Sequence, residues 1–183
     1  MGRIPRLVRS RLLALAVVAA CAAALATALL GTANAGPSTA AIRSGSAPPV
    51  GSACPVPGRY RGAFELAARE TALPLPLLVA VARVESRVDQ AAHSGRGARG
   101  ILQVLPSTAA ALGLDASSPR TNILAGARYL RQLLDRFDSP DLALAAYNAG
   151  PAAVQRSGGA PSAETISYVA NVTATWRALR GCR

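Results

Sequence analysis

The chain has 183 residues, 51% of them apolar and 4% aromatic, and 20 basic side chains, all Arg, stand against 9 acidic ones. That length fits one domain of ordinary size, too apolar to be mainly disordered and without the internal repeats of about 20–50 residues that mark solenoids and propellers. Three Cys with no Cys-x-x-Cys pair and a single His, His93, argue against zinc or histidine-based metal centres and against a nucleophile–His triad, which leaves any chemistry to carboxylates, Tyr, Asn, Ser and Arg.

Four Arg and no acid occupy the first 11 residues, and Leu12 to Leu30 is apolar apart from Thr27. Small residues then offer an Ala-x-Ala pattern at Ala33-Asn34-Ala35. Basic, apolar and small in that order is the pattern of a secretory signal, with cleavage expected after Ala35. Two alternatives stay open: an uncleaved anchor, since the apolar run approaches the ~20 residues that span a bilayer, and a lipoprotein acylated at Cys21. All three place the folded part outside the cytoplasm. Without residues 1–35 the chain holds 16 Arg against 9 acids, a net charge of +7. That charge suits an anionic polymer, whether nucleic acid or cell-wall glycan, or it is a solvated face in a chain where Arg replaces Lys. Residues 36–53, rich in Gly, Pro, Ser and Ala, look like a linker. The two Cys left after cleavage, Cys54 and Cys182, bracket the folded region and suggest a disulfide, the alternative being two free thiols.

From about Tyr60 the periodicity is helical throughout, and the fold class is mainly α, with six or seven helices around one core and at most a small β-hairpin. Residues 60–72 form a helix with Phe64, Ala67 and Ala68 inward and Glu65 and Arg69 as an i,i+4 pair. Leu73-Pro74-Leu75-Pro76 breaks it, and a second helix runs to about Val88. Residues 89–100 carry three glycines and form an irregular loop. Pro106 opens a short helix that stops at Gly113. Ile123, Ala127, Leu130, Leu134 and Phe137 mark a helix over 122–137. Ser139-Pro140-Asp141 caps the next, which ends at Gly150-Pro151, and a short turn follows to Arg156. Ser162 caps a last helix with Ile166, Val169, Val172, Trp176 and Leu179 on its apolar stripe, Trp176 being read as core.

The second helix holds the informative residue. Its stripe runs Leu78, Val81, position 85, Val88, and position 85 is Glu. A carboxylate on a buried stripe is costly unless neutral or paired, and desolvation raises its pKa toward the range a general acid needs. The competing reading is a helix-end Glu that reaches solvent or pairs with Arg87 or Arg99. Periodicity alone favours the helix-end reading.

Three segments narrow the choice. Glu85-Ser86, Gly100-Ile101-Leu102-Gln103 and Ala146-Tyr147-Asn148-Ala149-Gly150, in that order, resemble the three motifs of soluble lytic transglycosylases. Their catalytic domain is lysozyme-like and related to goose-type lysozyme, and the resemblance covers about residues 60–175. It implies that Glu85 is the acid/base, protonating the glycosidic oxygen between N-acetylmuramic acid and N-acetylglucosamine. The same Glu85 then takes the proton of the muramic 6-hydroxyl, closing a 1,6-anhydro ring with help from the sugar's N-acetyl group. It further implies that Ser86 and Gln103 bind the glycan, that Tyr147 lies close to the acid with Asn148 on the substrate, and that Tyr168 also reaches toward the acid. No cofactor and no metal are implied. Two departures stand out: Val88 replaces the aromatic residue usual three after the acid, and Ile101-Leu102 replaces Leu-Met. Both keep apolar bulk and bear on substrate fit more than on the reaction.

A second carboxylate would separate mechanisms, because hydrolytic glycosidases pair two, about 5–5.5 Å apart for retention or about 6.5–9.5 Å for inversion. Asp89 is one turn from Glu85, but a place just past the helix end would turn it into the loop as a backbone cap. His93 reads as a surface loop residue. Asn171-Val172-Thr173 matches a glycosylation acceptor but lies within a helix. No glycine loop follows a strand, which disfavours a nucleotide enzyme, and no helix clusters Arg as a DNA reader would. The expectation is an exported monomeric peptidoglycan lytic transglycosylase acting on glycan strands, with anionic wall polymers as further partners. The alternatives are a muramidase of the same fold and a non-catalytic wall-binding module.

Overall fold

A computed structural model describes residues 51–183 of the chain. The expected signal sequence and most of the expected linker lie outside the described residues. Seven helices make up the described part: α1 (Gly58–Thr71), α2 (Leu75–Ser86), α3 (Pro106–Ala111), α4 (Pro119–Phe137), α5 (Pro140–Ala149), α6 (Pro151–Ser157) and α7 (Ala163–Ala178). Two isolated antiparallel bridges, His93 with Arg99 and Arg99 with Val104, are the extent of β pairing there. Among the described residues no helix is long and apolar enough to cross a membrane.

The helix borders follow local chemistry. Ser118, Ser139 and Ser162 cap α4, α5 and α7, each side chain accepting a backbone N–H from the first turn. Pro at the first or second position opens α2 to α6, where a missing N–H costs nothing. Left-handed residues close four of them, Ala72 after α1, Arg87 after α2, Asp138 after α4 and Gly158 after α6.

Helix α2 is buried on all sides through its middle, Leu77 to Ala82 without interruption, as expected of a helix that runs through a core rather than over it. It packs on α1 and α7, while α4 packs on α1 and α5. Phe64, Leu78, Ile101, Leu102, Ile123, Leu130 and Leu144 are fully enclosed. A disulfide joins Cys54 to Cys182. Around it Gly51 donates to the Gly181 carbonyl, Arg183 to Ser52 and Cys54 to Arg183, so residues 51–53 are tied to the C-terminus.

Several local expectations change. Helix α2 ends at Ser86, and Val88 is not helical: Arg87 and Val88 both take left-handed backbone (φ 57° and 65°). Val88 nonetheless stays buried, as the stripe required. Helix α4 starts a turn before Asn122, because Ser118-Pro119 caps it, and the short helix from Pro106 ends at Ala111. The turn after Gly150 is a helix, α6. Glu65 and Arg69 form no ion pair; the two pairs among the described residues are Arg128–Glu70 and Arg131–Asp135. Ile166 is 59% exposed rather than on the inward stripe of α7. Trp176 is half-buried against the core.

Candidate active site

Glu85 is the penultimate residue of α2, where the buried helix emerges into a groove of about 550 Å³. The groove is walled by the glycine-rich loop (Ser94, Arg96), the 103–105 segment and the end of α5 (Tyr147, Asn148). Glu85 is half-buried. Burial pushes its carboxyl up from 4.5 to about 7, against the opposing pull of a hydrogen bond from Tyr168. The Tyr168 hydroxyl, on α7 and 83 residues away, donates to Glu85 Oε1 at 2.6 Å. No Arg pairs with Glu85 among the described residues, so the carboxyl is held by a neutral donor, an arrangement that leaves it able to carry a proton near neutrality.

Tyr147 lines the same groove as this carboxyl. Its hydroxyl donates to the Leu102 carbonyl at 2.8 Å, and its ring packs on Tyr129, with centroids 5.3 Å apart. Burial first, then the neighbouring Glu85 and Tyr129 charges, raise the Tyr147 hydroxyl well above its ordinary range. The Tyr168 hydroxyl is raised well above its range too, by burial first and then by Glu85 and Tyr147. Both phenols therefore stay protonated donors at any physiological pH.

The other site residues divide by what their polar atoms already do. Gln103 lines the groove in a left-handed backbone (φ 43°). Its Nε2 donates to the Ala92 and Gly100 carbonyls, so only its oxygen remains to offer a ligand. Asn148 accepts at Oδ1 from Thr165 Oγ1, which leaves its amide N–H groups for the groove. The Ser86 hydroxyl donates to the Ile101 carbonyl at 2.7 Å and accepts from the Asp89 N–H, under the loop rather than along the groove wall. Asp89 turns its carboxylate to the Ala91 N–H, as a loop cap would. His93 is exposed, its Nδ1 on the Ala91 carbonyl.

Three contributors were not singled out from the sequence. Glu164, in the first turn of α7, lines the groove and is its second carboxylate. Asn122 is 1% exposed; it accepts from the Leu102 N–H and donates to the Arg99 carbonyl. Gly126 lies one turn further along α4, where a Cβ would stand 2.5 Å from Leu102 Cδ1 and 2.8 Å from the Tyr147 hydroxyl. A polar residue beside the apolar stripe of α4 was the available signal for Asn122. Nothing local marked Gly126, whose role is a close approach between segments distant in sequence.

Residues 62–169 match the family described as "Transglycosylase SLT domain". The chain belongs to this family. Its SLT domain is 42% identical over 100 residues to the membrane-bound lytic murein transglycosylase F 2 of Alkalilimnicola ehrlichii, covering 50% of this chain and 22% of that protein. Among solved structures it resembles an inactive mutant of the lytic transglycosylase Slt from Pseudomonas aeruginosa, with a TM-score of 0.58 and 29% identity over 69% of this chain and 25% of that one. The 70 kDa soluble lytic transglycosylase from Escherichia coli superposes with a TM-score of 0.57 and 29% identity, covering 65% of this chain and 24% of that one. The chain thus spans about a fifth to a quarter of the length of these relatives. The mainly α, lysozyme-like fold of the SLT domain is the one its motifs led us to expect.

Proposed function

We propose that the protein is an exported peptidoglycan lytic transglycosylase that cleaves the N-acetylmuramic acid–N-acetylglucosamine bond without water and leaves 1,6-anhydro ends. The observation that carries this reading is Glu85: one carboxyl at the mouth of a buried helix, poised at about 7, held by one neutral hydroxyl. In the first step the Glu85 proton passes to the glycosidic oxygen, the bond to C1 breaks and the N-acetyl oxygen of the muramic residue closes on C1. In the second, the carboxylate takes the proton of the 6-hydroxyl, O6 bonds to C1 and the N-acetyl oxygen leaves. Glu85 ends as it began. No water is activated, so no second carboxylate is required, and Asp89 is occupied elsewhere.

The remaining residues take roles that match their free atoms. Tyr168 orients the Glu85 carboxyl, Tyr147 forms the groove floor beside it, and the Asn148 amide and the Gln103 oxygen face the glycan. Ser86, by holding Ile101, supports the loop that carries Gln103. The apolar run before Ala35 supports export, and the net positive charge suits an anionic wall. Glu164 favours one competing reading, a muramidase in which this groove carboxylate activates water.

Mass spectrometry of fragments released from purified peptidoglycan separates the two. Anhydro fragments, lighter than hydrolysis products by one water and absent with Glu85→Gln, are expected. Hydrated fragments would shift the assignment to the muramidase and to Glu164. Binding to peptidoglycan with neither product would leave a wall-binding module.

A further inference from the structure

The loop that carries Gln103 is grasped from three helices at once. Helix α2 holds the Ile101 carbonyl through Ser86. The two polar groups of Leu102 are held from different helices, its N–H by Asn122 of α4 at 2.9 Å and its carbonyl by Tyr147 of α5 at 2.8 Å. Asn122 spends the other end of its amide on the Arg99 carbonyl at 2.8 Å. The fit is tight at two points. Gly100, at φ 73°, leaves room for the Asn122 amide, which a Cβ would meet at 2.7 Å. Gly126 leaves room for both the Leu102 side chain and the Tyr147 hydroxyl.

A phenol has one proton to give. Tyr147 gives it to Leu102, although Glu85 lines the same groove. Were the Leu102 carbonyl displaced, that proton would turn to an acceptor in the groove, and Glu85 is the carboxylate there that already accepts from a phenol. We infer that Asn122 and Gly126, one turn apart on α4, are positioning residues for the reaction: they seat the 99–103 loop so that the Tyr147 hydroxyl is spent on Leu102 and stays off the catalytic carboxyl. The carboxyl then has a single donor, Tyr168, instead of two. A second donor would favour the ionised form and leave less of the carboxyl protonated near neutrality. The other titratable or charged groups around Glu85 are Tyr129 of α4 against Tyr147, and Glu164 of α7 and Arg96 of the glycine-rich loop along the groove. Substitution at 122 or 126 alters none of them chemically.

This inference rests on the proposed activity for its meaning, but its test does not. The chain has four glutamates, so carboxyl-13C-glutamate labelling gives four titrating signals, and Glu85→Gln identifies the one for position 85. With Gly126→Ala the Glu85 midpoint is expected to fall by about one unit. Gln132→Ala, on the exposed face of α4, should leave it in place. In a Tyr147→Phe background, Gly126→Ala should no longer move it. A midpoint unchanged by Gly126→Ala, or a shift that persists without the Tyr147 hydroxyl, overturns the inference. Should Gly126→Ala not fold, Asn122→Ser reads the same midpoint with the same expectations. If the wild type releases no fragments from peptidoglycan, the activity assignment fails while this titration still decides the positioning role.

Discussion

In the proposed reaction Glu85 carries most of the chemistry, and its environment fixes two pH dependences. The carboxyl must be protonated for the first step, so kcat/KM is expected to fall as pH rises through about 7. Tyr168 opposes the burial effect, so Tyr168→Phe should move that alkaline limb upward by about half a unit to one unit while lowering kcat; a pH–rate profile of fragment release checks both. Stability follows the opposite ordering from a salt-bridged acid. The folded state holds the proton to about 7, whereas the unfolded state releases it near 4.5. Stability is therefore highest below the lower value and falls until pH passes the higher one. Glu85→Gln removes that loss: urea unfolding at about pH 8 should show a gain of about 2 kcal/mol, discounted for partial exposure, and almost none at about pH 4. Just past the acid, Val88 keeps its side chain buried at the cost of a left-handed backbone, an unusual conformation for a β-branched residue.

At the scale of elements, the helices stand where caps and breakers put them, and two similar caps are expected to differ in consequence. Ser118 caps α4 and contacts Thr121 locally. Ser162 caps α7, but it also contacts Thr165, whose hydroxyl holds the Asn148 oxygen at the groove. Ser118→Ala and Ser162→Ala should each cost about 1 kcal/mol in urea unfolding. Only Ser162→Ala should also raise KM for peptidoglycan, because it frees Asn148. Equal KM values for the two variants would count against a substrate role for Asn148. Helix borders, caps and most inward faces were readable in advance because they depend on neighbours within a few positions. The exceptions had local causes that a periodicity count overlooks: a Ser-Pro cap that lengthens α4 and two left-handed residues that end α2 early.

At the scale of the molecule, the described domain is closed where its first residues meet its last. The disulfide bridges positions 128 apart, with Pro55 and Pro57 near Arg83 and Val88. Cys182 lies near Leu75 and Pro76 at the start of α2. The clasp thus spans the helix that presents Glu85. Breaking it frees a long loop in the unfolded chain, and Cys54→Ala with Cys182→Ala should cost up to about 4–5 kcal/mol on the chain-entropy account. Urea midpoints with and without the substitutions measure this. Activity per folded molecule should change less than twofold at low temperature, since no groove residue belongs to the clasp.

By itself the sequence determined the mainly α fold class and placed six of the seven helices to within a turn, the segment after Gly150 being read as a turn; it suggested the disulfide of Cys54 with Cys182, which the structure supplies. It also singled out Glu85 as a carboxylate on an apolar stripe and brought its three motifs together. Those features are encoded locally or by residue type, and burial of an apolar stripe leaves few arrangements open. Only the tertiary structure decided which hydroxyl holds the acid and which is kept from it. Tyr168 reaches Glu85, Tyr147 reaches Leu102, Asp89 turns into its loop, and Glu164 takes the groove position instead. A hydroxyl's choice of partner turns on a few tenths of an ångström between segments dozens of residues apart. Here that spacing is set by the Asn122 amide and by the absent side chain at Gly126, neither of which leaves a periodic trace in the chain.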